Sequence, residues 1–137
     1  MTYLNSNQLK QYSDEGFVSP VNIFSKEKAK EIRDEIELIE KKLPNELEKT
    51  GRYNAHLISP MLDEVTHNEN ILNAVESLIG GNILVCGTTL FIKNPGEGGF
   101  VSYHQDAKYI GLEPHNWVTA WVAITDSNEN NGCMKMW

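Results

Sequence analysis

The sequence predicts an α+β fold, with helices in the first half and the strands of a sandwich or jelly roll in the second. Up to residue 80, apolar residues recur at spacings of three and four, the period of a helix packed on one side. Beyond it that period gives way to short runs rich in Val, Ile, Thr and aromatics, separated by Gly- and Asn-rich turns. Helices first and strands afterwards point to α+β rather than to an alternating α/β architecture. At 137 residues the chain is long enough for one domain with a real core and too short for two ordinary ones.

Taken in order, Asn5 or Ser6 caps a short helix through Tyr12, with Gln8 in a capping-box position. Gly16-Phe17-Val18 reads as a brief strand ended by Pro20. Ser25 is a good N-cap for the longest helix, where Ala29, Ile32, Ile36, Ile39 and Leu43 form one apolar stripe. Glu27 near its start and Lys41-Lys42 near its end suit the helix dipole, and its other charges form a solvated face. Residues 52–59 are short and mixed, a possible strand, and residues 61–66 one helical turn. Asn68 or Asn70 starts a clearer helix through Ile79, with Ile71, Leu72, Val75, Leu78 and Ile79 inward and Gly80-Gly81 as its stop. Residues 83–93 are β-rich, 95–99 a turn, and 100–106 a further strand. Residues 117–125 are apolar on both faces and predict a fully buried central strand. Residues 126–132 are a polar turn, and 133–137 begin another strand that halts without turn or cap, the mark of a fragment or truncated frame.

Composition narrows the function. A hydrophobic content of 40% and a charged content of 23% are those of a soluble globular protein. The net charge of −7 argues against nucleic acid or an anionic membrane as partner. No local basic patch offsets it, because the lysines of residues 26–49 alternate with glutamates. The first eleven residues are polar and lack the apolar core of a signal peptide, and the longest apolar run, 83–92, is far too short to span a bilayer. A cytoplasmic location is expected. Cys86 and Cys133 have no motif spacing and read as buried small hydrophobes rather than a disulfide. The sequence leaves the oligomeric state open.

The chemistry concentrates in Val101-Ser102-Tyr103-His104-Gln105-Asp106. In an extended segment, side chains at i and i+2 share a face, so His104 and Asp106 project together with Gln105 turned away. An imidazole and a carboxylate so placed are two of the three protein ligands of a 2-His-1-carboxylate iron site. By itself the His-x-Asp tripeptide is a weak signal. The Gly-rich stretch 96–99 is a poorer candidate for a phosphate loop, because it leads into a predicted strand and offers no helix N-terminus.

From about Leu9 to the last residue, the chain resembles the phytanoyl-CoA dioxygenase family of Fe(II)- and 2-oxoglutarate-dependent oxygenases. Asp14-Glu15-Gly16-Phe17-Val18, Phe91-Ile92-Lys93-Asn94-Pro95-Gly96 and Tyr103-His104-Gln105-Asp106 carry the likeness. Val118-Thr119-Ala120-Trp121-Val122-Ala123-Ile124 and Glu129-Asn130-Asn131-Gly132-Cys133-Met134 follow at family-like spacing. Jointly these are specific, and no single one is. The resemblance implies that helices 1–80 pack on residues 81–137 as the first strands of an incomplete double-stranded β-helix (jelly roll, cupin-like), the whole forming one partial domain. It implies His104 and Asp106 as iron ligands, Trp121 and Thr89 in the 2-oxoglutarate pocket, and Arg52 or His56 as the basic contact to that co-substrate. His67 and His115 match no functional position.

The implied activity is hydroxylation of a small organic substrate with O2 and 2-oxoglutarate. Asp106 argues against the related halogenases, in which a small residue replaces the carboxylate. Nothing in the sequence selects acyl-CoA or another substrate. In the family the second histidine ligand and a 2-oxoglutarate-binding arginine lie downstream, so this chain alone is expected to be an inactive part of an active parent. The rival expectation is a non-catalytic jelly-roll binding or structural module.

Overall fold

The computed structural model describes residues 3–44, 52–96 and 98–137. Met1, Lys49 and Glu97, each part of a stretch read above, lie outside the described residues.

Local signals set the helices. In α1 (Ser6–Glu15), Asn5 is the N-cap: its side chain accepts from the Asn7 and Gln8 amides while the Gln8 side chain accepts from the Asn5 amide, a complete capping box. The helix runs three residues past Tyr12 and ends on Gly16, whose φ of 77° closes the last turn through its amide to the Tyr12 carbonyl. Gly16-Phe17-Val18 therefore serves as cap and loop, not as a strand. Helix α2 (Lys26–Lys42) is capped by the Ser25 hydroxyl, which accepts from the Lys28 amide. Its outer face carries the pairs Lys28–Glu31, Lys30–Asp34 and Arg33–Glu37. Exposed pairs of this kind add little stability and chiefly keep the face solvated. Of the predicted stripe, Ile32 and Ile39 are buried and Ile36 half-buried, while Leu43, the C-cap, stays exposed.

A 3-10 turn, Ala55–Leu57, precedes α3 (Pro60–Thr66) and α4 (Glu69–Ile79). Ser59 and Asn68 are the respective N-caps, and α4 stops at Gly80. Ser59 is buried, and its hydroxyl donates to Glu35 Oε1 at 2.9 Å, tying the start of α3 to α2. The five apolar residues expected to face inward on α4 are half-buried, and the N-terminal Tyr3 and Leu4 amides approach Ser77 Oγ of that helix. The core is Ile32, Ile39, Ala55 and Leu62, with Phe24, Met61 and Val65 around it and Leu90 and Ile124 reaching in from the second half.

The expected incomplete double-stranded β-helix is absent among the described residues. Among the described residues the only β pairing is one antiparallel bridge, Tyr53 with Thr89, flanked by the bonds Asn54 N to Thr88 O (2.7 Å) and Leu90 N to Arg52 O (2.8 Å). Gly87 permits this approach, because a Cβ there would stand 2.8 Å from Asn54 Oδ1. Residues 83–87, 100–105, 117–123 and 133–137 carry no strand. The physical reason is that β-propensity measures fit to a pleated, half-covered surface, and a two-stranded pairing is marginal in water unless more strands or a helix cover it. Among the described residues these segments form no β ladder, although the Tyr103 and Trp137 rings meet at 6.1 Å between centroids. Leu84 and Phe100 are 90% and 83% exposed, and the supposed central strand leaves Trp121 exposed as well. The polar turn near 126–132 does form, with Asn131 Nδ2 donating to the Asp126 carbonyl and the Asn130 amide donating to Asn128 Oδ1. Both cysteines are free, and Cys86 is exposed rather than buried.

Candidate metal-binding site

Residues 100–106 were expected to be a strand, and instead they lead into a short helix, α5 (Asp106–Ile110). Asp106 opens it, Lys108 lies in its last turn, and Gly111, with φ 67°, ends it. An acid at the first position and glycine after the last are ordinary helix punctuation. Gln105, the N-cap, remains extended (φ −121°, ψ 120°), so the i, i+2 geometry holds across this one residue. It brings His104 Nε2 to 3.1 Å from Asp106 Oδ1. The two side chains are about a third to a half exposed, at 34% and 44%.

Hydrogen bonding fixes what each atom can offer. His104 Nδ1 stands 2.7 Å from the Ser102 carbonyl. A carbonyl only accepts, so Nδ1 carries a proton and it is Nε2 that is left to face Asp106. An ionised carboxylate also only accepts. Nε2 and Oδ1, 3.1 Å apart, can share one proton or, without it, one cation. Adjacent ligand atoms about 2.1 Å from an octahedral ion stand about 3 Å apart, so the pair suits two neighbouring corners of one coordination sphere. A metal-bound histidine ordinarily has its other nitrogen held by a carbonyl or carboxylate, and Ser102 O stands in that position relative to His104 Nδ1. The other oxygen, Asp106 Oδ2, accepts from Thr119 Oγ1 at 2.5 Å, and Thr119 Oγ1 accepts from the Trp117 indole at 3.1 Å. The Tyr109 ring meets His104 edge-on, 5.7 Å between centroids. Among the described residues no group of three or more His, Cys, Asp or Glu side chains comes together to hold a metal.

His56, Thr89 and Arg52 lie together around one bridge. His56 Nδ1 lies 2.8 Å from Thr88 Oγ1, beside Thr89 and its bridge to Tyr53. Arg52, on the same bridge, has its Nε buried without a hydrogen-bond partner. Trp121 is 43% exposed. Thr119, Trp117 and Ser102 escaped the sequence reading. A signal for two of them was present: Trp117, Thr119 and Trp121 alternate, and only Trp121 was selected. A recess of about 490 Å³ between α4 and residues 81–85, lined by His67, Leu72, Glu76 and Ile83 among others, contains none of the candidates. Its His67 ring nitrogen is already engaged by the Asp63 carbonyl.

Residues 12–137 match the family model for phytanoyl-CoA dioxygenase. The chain is similar to "Phytanoyl-CoA dioxygenase domain-containing protein 1" of Danio rerio, 34% identical over 80 residues, which are 58% of this chain and 28% of that protein. The same-named protein of Rattus norvegicus is 37% identical over 81 residues, with the same shares. "Phytanoyl-CoA dioxygenase" of Arabidopsis thaliana is 29% identical over 79 residues, again 58% and 28%. The matched stretch thus spans little more than a quarter of these relatives. No solved structure matches the chain. The family match begins within α1 and takes in every candidate ligand, and on it the chain belongs to the phytanoyl-CoA dioxygenase family.

Proposed function

We propose that this chain contributes the metal-binding pair of a non-haem Fe(II)- and 2-oxoglutarate-dependent dioxygenase, a hydroxylase acting with O2 on a small organic substrate. One observation carries the reading: in a member of this family, a histidine nitrogen left free by a carbonyl bond faces a carboxylate oxygen at 3.1 Å. His104 and Asp106 would hold the iron. His56, Thr89 and Trp121 are assigned to 2-oxoglutarate, with Arg52 as a further basic contact. The buried, unpartnered Arg52 Nε supports an anion at that locus, because such a donor is costly to leave unsatisfied.

When bound, the iron supplies the redox chemistry that couples conversion of 2-oxoglutarate to succinate with hydroxylation of the substrate. The chain's own groups bind and orient. Ser102 O holds the His104 tautomer, Asp106 offers one oxygen, and Tyr109 covers one edge of the imidazole. Two side chains hold a metal weakly, so turnover by this chain alone is not expected. Leu90 and Ile124 pack on the helical core, which supports one domain over residues 1–137. The net charge of −7 favours a small-molecule partner over nucleic acid. Among the described residues no helix is long and apolar enough to cross a membrane, and we assign the chain to the cytoplasm.

The test is anaerobic titration with Fe(II) in the presence of 2-oxoglutarate, read as the visible charge-transfer absorption of an iron–2-oxoglutarate chelate. The expected result is a band in the unsubstituted chain that His104→Ala and Asp106→Ala each abolish. Absence of the band, or its survival in either variant, contradicts the assignment.

A further inference from the structure

We infer that Thr119 is a positioning residue that presents Asp106 to a metal through a single oxygen, with Trp117 setting the direction of the Thr119 hydroxyl. The inference rests on the metal-pair reading and extends it to residues which that reading does not require. The indole N–H is a donor only, and it points at Thr119 Oγ1 from 3.1 Å. Thr119 Oγ1 therefore accepts from Trp117, and its one hydroxyl proton is free for Asp106 Oδ2, 2.5 Å away. A hydroxyl without that donor could turn its proton elsewhere; with it, donation to Asp106 is the arrangement that satisfies all three groups.

The consequence for Asp106 is geometric. One carboxylate oxygen is engaged on the Thr119 side, and the other is left facing His104 Nε2 at 3.1 Å. A carboxylate free to rotate can give both oxygens to one ion and occupy an extra coordination position. Asp106, held by Oδ2, gives Oδ1 only, which keeps the remaining positions for other ligands. The histidine is fixed in parallel by Ser102 O on its Nδ1. Each side chain of the pair thus has its non-coordinating atom tied to a neighbour, the arrangement that orients metal ligands generally. The tie to Asp106 comes from thirteen residues away in sequence, so it couples residues 117–119 to the start of α5.

The probe is Mn(II), followed by loss of the free-ion electron paramagnetic resonance signal, on the unsubstituted chain and on Thr119→Val, Thr119→Ser, Trp117→Phe and Asp106→Ala. Valine keeps the shape and removes the hydroxyl. It is expected to weaken Mn(II) binding about tenfold or more, the range for loss of an outer-shell partner. Serine restores the hydroxyl and is expected to bind like the unsubstituted chain, with Trp117→Phe between the two. A role of Thr119 in packing alone would be kept by valine and not restored by serine. The 13C shift of the Asp106 carboxyl in metal-free protein gives a second readout, expected to move in Thr119→Val and to return in Thr119→Ser. Full Mn(II) affinity and an unmoved carboxyl shift in Thr119→Val, with binding still lost in Asp106→Ala, overturn the inference and leave the metal pair standing. Mn(II) uptake that is absent, or indifferent to Asp106→Ala, overturns both.

Discussion

His67, His104 and His115 each lie near a carboxylate, and the three pairs differ in which atoms are left to act. His67 brings Nδ1 toward Asp63 Oδ1 at 3.4 Å, but the same nitrogen is already 3.0 Å from the Asp63 carbonyl. His115 and Glu113 stand 3.8 Å apart, beyond a hydrogen bond. Only the His104 pair combines a nitrogen fixed by a carbonyl, a second nitrogen facing an oxygen, and a carboxylate held from behind. At Trp121 the proposed 2-oxoglutarate role and a packing role predict different outcomes. The residue is 43% exposed, so Trp121→Ala is expected to lower stability by less than the roughly 3–5 kcal/mol that truncating a core tryptophan costs, read as the urea midpoint. The same change is expected to weaken 2-oxoglutarate binding to the Fe(II)-loaded chain. An unchanged affinity removes Trp121 from the site.

At the scale of elements, what the sequence made legible was local. Asn5 with Gln8, Ser25 and Asn68 announce their helices because a cap and its amides lie within three residues of each other. The bond energies there are modest but decisive for α1, which buries no residue of its own. Asn5→Ala is accordingly expected to destabilise α1 by about 0.5–2 kcal/mol, visible as faster amide exchange across residues 6–15 and little change in α2. Uniform acceleration through both helices would contradict that. Segments 83–93, 100–106 and 117–125 were misread because a strand depends on a partner that composition does not name. The capping logic that found α1 also applies to Asp106, Lys108 and Gly111, and reading Val101 and Tyr103 as strand formers hid α5. His104 and Asp106 were nonetheless legible as a pair, since one extended residue between them is enough. Thr119 was not, because its contact with Asp106 depends on how the chain returns after α5.

For the whole molecule, a small helical core at the meeting of α2, the Ala55–Leu57 turn and α3 carries the packing, and Leu90 and Ile124 join the second half to it. The candidate metal pair sits outside that core on partly exposed chain, so it stands on its own hydrogen bonds rather than on burial. If these bonds make His104 and Asp106 one metal pair, His104 differs in kind from the other histidines. Histidine-ring NMR during titration with substoichiometric Mn(II) tests this most directly, because the paramagnetic ion broadens the resonances nearest to it. The His104 ring is expected to broaden first, with His56, His67 and His115 still sharp, and Asp106→Ala is expected to abolish the preference. Equal broadening of all four rings, or broadening that begins at His67 or His115, would contradict the claim.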